Sequence, residues 1–213
     1  MITKDYEEYP EHRVNFYNLL HQVVLHCFPA LLNLSGQKFK VLLDSIIWAF
    51  KHTMRNVAET GLRILLVLFE KMAEQPPEIG SKFFQTYYTD VLEHLFSVVT
   101  DSSHFFGLAL QSEILAYMFF LVENEKIQAP LDPNSKDPQT NVQFIFNFVS
   151  NLLKCVFSHL TEPQIKITVQ GFFNLNQDLN AFKEHLRDFL VQIRVSFIET
   201  FFFLVHLFKT FFF

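Results

Sequence analysis

Apolar residues recur at three- and four-residue spacing on both sides of a short polar corner, residues 51–56. The apolar positions before the corner are Phe39, Leu42, Leu43, Ile46, Ile47 and Phe50. The apolar positions after it are Ala58, Leu62, Leu65, Leu68, Phe69 and Met72. Both runs have the period of a helix with one apolar face. Because so few polar residues join them, the pattern predicts a helical hairpin whose second helix begins near Arg55.

The same alternation of helix and turn repeats along the chain. An earlier apolar stripe ends near Pro29 and consists of Phe16, Leu19, Leu20, Val23, Val24 and Cys27. Further helices are predicted over 81–99, 103–122, 142–157, 162–174 and 176–193, with a proline-rich loop over 124–141. The first helices of successive pairs start near residues 10, 55, 103 and 162, and the first two steps approach the period of HEAT and armadillo arrays. We therefore predict an all-α fold, a HEAT/armadillo-like α-solenoid of about four antiparallel helix pairs.

The last twenty residues break this pattern. Phe occupies eight of the last seventeen positions, in runs without a helical period. A membrane span is disfavoured there, because charged residues such as Arg194, Glu199 and Lys209 interrupt the segment, and each costs about 2.5–3.5 kcal/mol at the centre of a membrane. We predict that residues 1–193 form the repeat domain and that residues 194–213 are an aberrant tail outside the fold.

Composition narrows the class of partner. The chain has 213 residues, half of them hydrophobic, and a formal net charge of -5. A mildly acidic protein is a poor match for nucleic acid, which usually needs a basic face, so direct nucleic-acid binding is not expected. Cys27 and Cys155 both lie in apolar runs, and we interpret them as reduced thiols in the core.

Signatures of catalysis are missing from the sequence. We find no glycine-rich phosphate loop, no nucleophile elbow, and no Cys or His pair at zinc spacing. His21 and His26 are five residues apart and so do not share a helical face. The sequence therefore predicts a protein that is not an enzyme, with no catalytic residue, no cofactor and no metal site.

Polar stripes on two helices are the candidate binding surface. The stripe on the helix before the corner consists of Lys40, Asp44, Trp48 and Lys51, and the stripe on the second helix of the next pair consists of Gln85, Thr89 and Glu93. Second helices line the concave side of HEAT-type arrays, so both stripes are candidate partner contacts, with Trp48 as an anchor. The alternative is that both are ordinary solvated faces and that Trp48 packs between repeats.

Several long blocks of sequence carry a family resemblance. They are EEYPEHR (7–13), HCFPALL (26–32), DSIIWAFKHTMRNVAETGLRIL (44–65), FSVVTDSSH (96–104), ILAYMF (114–119) and LNQDLNAFKEHLRDFLVQI (175–193). In this order and spread over residues 1–193, they resemble the C-terminal HEAT-repeat region of the exportin-1 family, nuclear export receptors of the importin-beta/karyopherin superfamily. By this resemblance Met1 is expected to be an internal methionine of a longer receptor.

The resemblance implies a role in protein export from the nucleus. Members of the family form a ring of HEAT repeats that binds an export cargo protein together with the GTP-bound form of the small GTPase Ran, and they pass nuclear pore proteins as they shuttle between nucleus and cytoplasm. The groove for the export signal is expected upstream of these residues. The family continues after 191–193 into an acidic segment and a final helix, where this sequence has the Phe-rich tail. The alternative is a different helical-repeat adaptor, tethered to a membrane by that tail.

Overall fold

The computed structural model describes residues 9–134 and 139–194, which form nine α-helices and one 3-10 segment and contain no β-strand. The helices are α1 (Pro10–His26), α2 (Phe28–Leu32), α3 (Gly36–Phe50), α4 (Arg55–Ala73), α5 (Pro77–Thr100), α6 (Leu108–Glu123), α7 (Asn141–Val156), α8 (Glu162–Asn174) and α9 (179–194). The 3-10 segment, Ser102–Gly107, leads directly into α6. The Phe-rich tail from residue 195 onward lies outside the described residues.

Helices pack against their neighbours in the chain and also against the corresponding helices of adjacent pairs. Helix α4 packs against α3 and α5, and also against α1 and α6, which are the first helices of the preceding and following pairs. Likewise α6 packs against α8, and α3 packs against α5. This stacking of first helices on first helices and second helices on second helices is the arrangement of a repeat array. The predicted all-α solenoid is confirmed.

The polar corner is a close junction between two helices. Helix α3 ends at Phe50 and α4 begins at Arg55, where the second hairpin was predicted to start. Small residues face each other across it, since Ala49 and Ala58 are fully buried and Gly61 has no side chain. A methyl group at Gly61 would lie 2.6 Å from the backbone nitrogen of Phe50, so only glycine permits this separation of α3 and α4.

Side-chain oxygens at the predicted turns satisfy the backbone N–H groups of several helix starts. Ser35 accepts a hydrogen bond from the backbone of Lys38 at the start of α3. Thr140 and Gln143 form a reciprocal capping box at the start of α7. Asp178 accepts from the backbone of two residues at the start of α9. These contacts explain why turn residues in the sequence located helix boundaries within a few positions.

The buried face of α1 differs from the predicted stripe. Phe16 and Leu19 were expected in the core, but they are 36% and 64% exposed. The residues that are buried are Arg13, Tyr17, Leu20 and Val24. Tyr17 determines this rotation, because its hydroxyl donates to the carbonyl oxygen of Ser45 at 3.0 Å on α3. The prediction is therefore wrong for Phe16 and Leu19 and confirmed for Leu20 and Val24, because the buried face is rotated by part of a turn toward Arg13 and Tyr17.

Both cysteines are free thiols but neither belongs to the core. Cys27 and Cys155 are exposed. Helix α7 buries Ile145, Val149 and Leu153, so a residue two positions beyond Leu153 points well away from that face. Cys27 lies at the break between α1 and α2 that Pro29 enforces. The prediction of buried thiols is wrong because an apolar neighbourhood in sequence does not fix the helical face.

In its described part, residues 124–134 and 139–140, the loop between α6 and α7 is irregular, as predicted, and one side chain organises several of its backbone groups. Asn141 donates from Nδ2 to the carbonyl oxygens of Ile127 and Ala129, both at 3.0 Å, and its Oδ1 accepts from the backbone N–H of Leu131 at 2.8 Å. Ile127 and Leu131 are buried in the core. The backbone groups that Asn141 contacts are thus satisfied by a side chain and not by regular secondary structure.

Helix α6 with its 3-10 segment, Ser102–Glu123, is long and apolar enough to cross a membrane, and it is the one such stretch among the described residues. About three fifths of its most apolar window (61%) is buried inside the protein. The packing of α6 against α4, α5 and α8 accounts for this composition, because a helix surrounded by other helices is apolar on several sides.

Candidate partner-binding face

The candidate residues at α3 form an exposed row, with three of them on the helix and Lys51 directly after its last residue. Lys40, Asp44, Trp48 and Lys51 follow one another at three- and four-residue spacing, and each is exposed. The Lys40 ammonium lies 2.8 Å from both carboxylate oxygens of Asp44. This hydrogen bond is the main reason why the pKa of Lys40 is raised. The row therefore carries a balanced ion pair at one end and a cation, Lys51, at the other.

Trp48 is an exposed part of a packed aromatic cluster. Its ring is 40% exposed and stacks on Tyr17 of α1, with centroids 6.1 Å apart and planes 16° apart. The buried guanidinium of Arg13 lies 5.7 Å from the centroid of the Trp48 ring. Both readings of Trp48 from the sequence thus have a basis, since the ring packs against the preceding helix and also presents surface. Sequence analysis did not predict the contacts of Arg13 and Tyr17 with Trp48, because no local sequence signal shows that α1 packs against α3.

The three candidate residues of α5 differ in exposure and in their contacts. Gln85 is half-buried, and its Nε2 donates to the carbonyl oxygen of Pro130 at 2.8 Å, so its amide holds the α6–α7 loop. Thr89 is half-buried and Glu93 is exposed. Their role in binding remains a prediction, and Glu93 is the one with a fully accessible charge.

Asp90 and His94 are the residues of α5 that reach the row on α3. His94 Nδ1 lies 3.4 Å from the Lys51 ammonium, and its Nε2 lies 3.7 Å from a carboxylate oxygen of Asp90. Asp90 also contributes to the raised pKa of Lys40, after the larger effect of Asp44. Sequence analysis missed this pair because a rotation of α5 by part of a turn separates it from the predicted stripe. We call Lys40, Asp44, Trp48, Lys51, Asp90, Glu93 and His94 the α3–α5 face.

A buried histidine fixes the end of α3 beneath this face. His104, on the 3-10 segment, donates from Nε2 to the carbonyl oxygen of Lys51 at 3.0 Å. Its Nδ1 lies 2.9 Å from Ser103 Oγ and 3.2 Å from a carboxylate oxygen of Asp101. A serine triad needs the hydroxyl and the carboxylate on opposite nitrogens of the ring, whereas here both approach the same one. The arrangement therefore positions α3 and does not activate a nucleophile.

Within the described ranges, no group of three or more His, Cys, Asp and Glu side chains lies close enough to hold a metal ion. Within the α3–α5 face, Lys40 pairs with Asp44, and His94 contacts both Lys51 and Asp90. The α3–α5 face presents exposed charges of both signs around one aromatic ring. This arrangement is typical of protein-binding surfaces.

Comparison with known proteins gives the family. The family model described as CRM1 C terminal matches residues 1–197. Exportin-1 of Drosophila melanogaster is 52% identical over 194 residues, and Exportin-1 of Schizosaccharomyces pombe is 48% identical over 196. Protein EXPORTIN 1B of Arabidopsis thaliana is 38% identical over 195 residues.

These alignments cover 90–91% of this chain and 18% of each relative, so the chain spans less than a fifth of the length of the relatives it matches. The matched stretch contains the α3–α4 corner, the 3-10 segment and all nine helices described above. The chain belongs to the CRM1 C-terminal family.

Proposed function

We propose that this chain provides part of the scaffold of a nuclear export receptor and contributes to the binding of the GTP-bound form of Ran. The observation that carries the proposal is the match of residues 1–197 to the C-terminal region of proteins named exportin-1, combined with the solenoid that these residues form. Export cargo proteins and nuclear pore proteins are partners of the whole receptor in this proposal. Shuttling between nucleus and cytoplasm follows from the same role.

The α3–α5 face is the surface that we assign to Ran. It combines exposed groups of both signs with the exposed part of the Trp48 ring. Asp44 and Glu93 offer carboxylates to basic side chains, although Asp44 already pairs with Lys40. Exposed charge pairs contribute only about 0–1 kcal/mol each, so this face supplies a share of the binding free energy and not all of it.

Apolar surface at the first helix pair supports a role inside a longer array. Leu19 of α1 is 64% exposed and Val41 of α3 is 65% exposed. In a solenoid each pair buries its apolar face against the next, and large exposed aliphatic side chains are expected where a further pair stacks. This agrees with the fraction of the relatives that the chain spans.

Titration of fluorescently labelled Ran with the 213-residue chain tests the proposal. Association itself costs about 4 kcal/mol or more, and four helix pairs supply only part of a ring's contacts. We therefore expect weak binding of GTP-bound Ran, with a Kd above about 100 μM, or roughly 5.5 kcal/mol of binding free energy. Because the contacts are partly ionic, the affinity should fall as salt rises. Equal binding of GDP-bound and GTP-bound Ran would contradict the proposal.

A further inference from the structure

The polar corner between α3 and α4 joins the first helix pair to the second and is contacted by side chains of the first and third pairs. On α1, in the first pair, Nη1 of Arg13 lies 2.8 Å from Nε2 of His52, 39 residues away. On the 3-10 segment that begins the third pair, Nε2 of His104 donates to the carbonyl oxygen of Lys51 at 3.0 Å, across 53 residues. Two successive corner residues, Lys51 and His52, are therefore held from different helix pairs.

Arg13 is a buried cation beside the single tryptophan of the chain. Its guanidinium carbon lies 5.7 Å from the centroid of the Trp48 ring, and the His52 ring packs on the same tryptophan with centroids 4.8 Å apart. The other nitrogen of His52, Nδ1, faces the backbone N–H of Met54 at 2.8 Å, so the ring is enclosed between two donors. A buried charge is costly unless its neighbours stabilise it, and an aromatic face does so. Arg13, His52 and Trp48 thus pack as one unit.

His104 holds the corner through the backbone. The carbonyl oxygen of Lys51 lies at the C-terminal end of α3, where carbonyl groups lack partners within the helix. The His104 ring is buried, and its Nδ1 lies 2.9 Å from Ser103 Oγ and 3.2 Å from a carboxylate oxygen of Asp101. The ring is therefore fixed on both sides, and its contact with Lys51 fixes the end of α3 three residues after Trp48.

Two members of the α3–α5 face lie at these contacts. Trp48 is partly exposed, and the Lys51 ammonium extends toward α5, where it lies 3.4 Å from Nδ1 of His94. Side chains that are already oriented lose less conformational freedom when a partner binds, so preorganisation increases affinity. Contacts that fix the corner can therefore act on binding without touching the partner.

We propose that Arg13 and His104 are positioning residues of the α3–α5 face. They hold the adjacent corner residues from the first and third helix pairs, and so fix the orientation of Trp48 and Lys51 before a partner binds. Three successive pairs then form one rigid support for this surface. The inference rests on the proposed function where it concerns Ran, whereas the orientation of Trp48 is measurable without a partner.

Fluorescence of Trp48 in the 213-residue chain tests the proposal, because no other tryptophan contributes. Arg13→Met removes the guanidinium but keeps an apolar stem, and His104→Leu removes the donor to Lys51. Both variants should make Trp48 more accessible to quenching by acrylamide and should lower its fluorescence anisotropy. The His104 variant is decisive, because the described contacts of that ring are with the corner backbone and with its own 3-10 segment. Its effect reaches Trp48 through the backbone of α3.

Three further variants separate positioning from loss of stability. His104→Gln keeps an N–H donor near the place of Nε2 and should behave like the parent. Tyr88→Phe removes a buried hydrogen bond of 2.8 Å to the Met118 carbonyl oxygen, between α5 and α6, and should destabilise the chain without changing the Trp48 signal. Circular dichroism checks that each variant folds. If His104→Leu does not fold, His104→Asn replaces it, because its shorter amide does not reach Lys51.

Titration of labelled GTP-bound Ran then connects these contacts to binding. Because the parent is expected to bind weakly, the initial slopes of the titrations give relative affinities below saturation. Arg13→Met and His104→Leu should each reduce the affinity about threefold or more, as expected when an anchoring side chain must be ordered on binding. His104→Gln and Tyr88→Phe should stay within about twofold of the parent.

The proposal has clear contrary outcomes. A Trp48 signal of His104→Leu equal to that of the parent would overturn it, and so would an equal change in Tyr88→Phe, which would mean general loosening. A changed Trp48 signal without loss of Ran affinity would overturn the role in binding. If the parent does not distinguish GTP-bound from GDP-bound Ran, the proposed function itself fails, and the Trp48 comparison still decides whether Arg13 and His104 position the ring.

Discussion

Gly61 on α4 lies so close to Phe50 on α3 that a Cβ atom at Gly61 would be 2.6 Å from the Phe50 backbone nitrogen and 2.8 Å from the Ala49 Cβ. These atoms belong to the backbone or to an alanine side chain, which cannot move aside as a flexible side chain can. The contact between the two helices around the polar corner thus depends on the absence of one methyl group.

We predict that Gly61→Ala destabilises the chain. Alanine favours a helix over glycine by about 1 kcal/mol, but overpacking a junction of this kind costs about 1–3 kcal/mol, so the net change should be destabilising. Thermal unfolding followed by circular dichroism measures it. Gly36→Ala is the matched control, because nothing lies within 4 Å of a Cβ there, and it should be neutral or slightly stabilising. An unfolding temperature of Gly61→Ala equal to that of the parent would show that α3 and α4 separate easily.

Asn141 should protect the α6–α7 loop from cleavage by proteases. Asn141→Ala removes three hydrogen bonds to the loop backbone, and we expect the loss of about 1–3 kcal/mol of local stability. Trypsin should then cleave faster after Lys126, which is exposed within that loop. Asn147→Ala, an exposed position on the same helix, is the control and should leave the rate unchanged.

In the parent chain we expect limited proteolysis to begin in 124–141 before any other internal segment, and first cleavage within α3 or α6 would contradict this.

Asp101 should make the free energy of unfolding depend on pH in the acid range. A hydrogen bond from the backbone N–H of Ser103 is the largest cause that lowers the pKa of Asp101, and the nearby His104 lowers it further. A carboxylate whose pKa is lowered by folding stabilises the folded state fully at pH values above its ordinary pKa of about 4. This stabilisation is lost as the pH falls through the lowered pKa of the folded state. The group is mostly exposed, so the effect should stay below about 1 kcal/mol.

Asp101→Asn provides the measurement. Asparagine keeps an oxygen that accepts the Ser103 N–H, but it cannot ionise. The difference in unfolding free energy between the parent and Asp101→Asn should therefore be larger at pH 7 than at pH 3. A difference that is the same at both pH values would show that the ionised carboxylate contributes nothing.

Local signals predicted most of the helix boundaries, because proline, serine and threonine act within one turn of their own position. The start of α4 at Arg55 and the start of α8 at Glu162 are examples. Rotation of a helix about its axis was harder to predict. Helix α1 carries a wide apolar stripe, and the hydrogen bond from Tyr17 to Ser45, 28 residues away, favours burial of the part with Leu20 and Val24 over the part with Phe16 and Leu19. A one-dimensional period does not determine which part of a wide stripe is buried.

The candidate binding residues were predictable as exposed positions but not as a surface. All four on α3 are exposed, as their spacing indicates. Their neighbours on α5 depend on how two helices far apart in sequence are rotated, so Asp90 and His94 were missed. The side chain of Gln85 donates to the carbonyl oxygen of Pro130, 45 residues away, so its part in this surface stays a prediction. No sequence pattern reports such a pairing.

The final prediction concerns the electrostatics of the α3–α5 face. Asp44→Lys with Glu93→Lys changes the charge of two exposed positions by four units in total, and it removes the ion pair of Asp44 with Lys40. Exposed ion pairs contribute little to stability, so we expect an unchanged helical content and a small effect on unfolding. Binding of GTP-bound Ran should weaken in a longer receptor that contains these helices, because basic side chains of Ran would meet lysines in place of carboxylates. The association rate should fall more than the dissociation rate rises, since rim charges act mainly by steering.

Titration of labelled Ran at two salt concentrations measures the loss of affinity and its dependence on salt, and stopped-flow mixing measures the two rates. The control of equal charge is Glu184→Lys with Asp188→Lys on α9. If both variants lose the same affinity, the loss comes from net charge, and the α3–α5 face is only solvated surface.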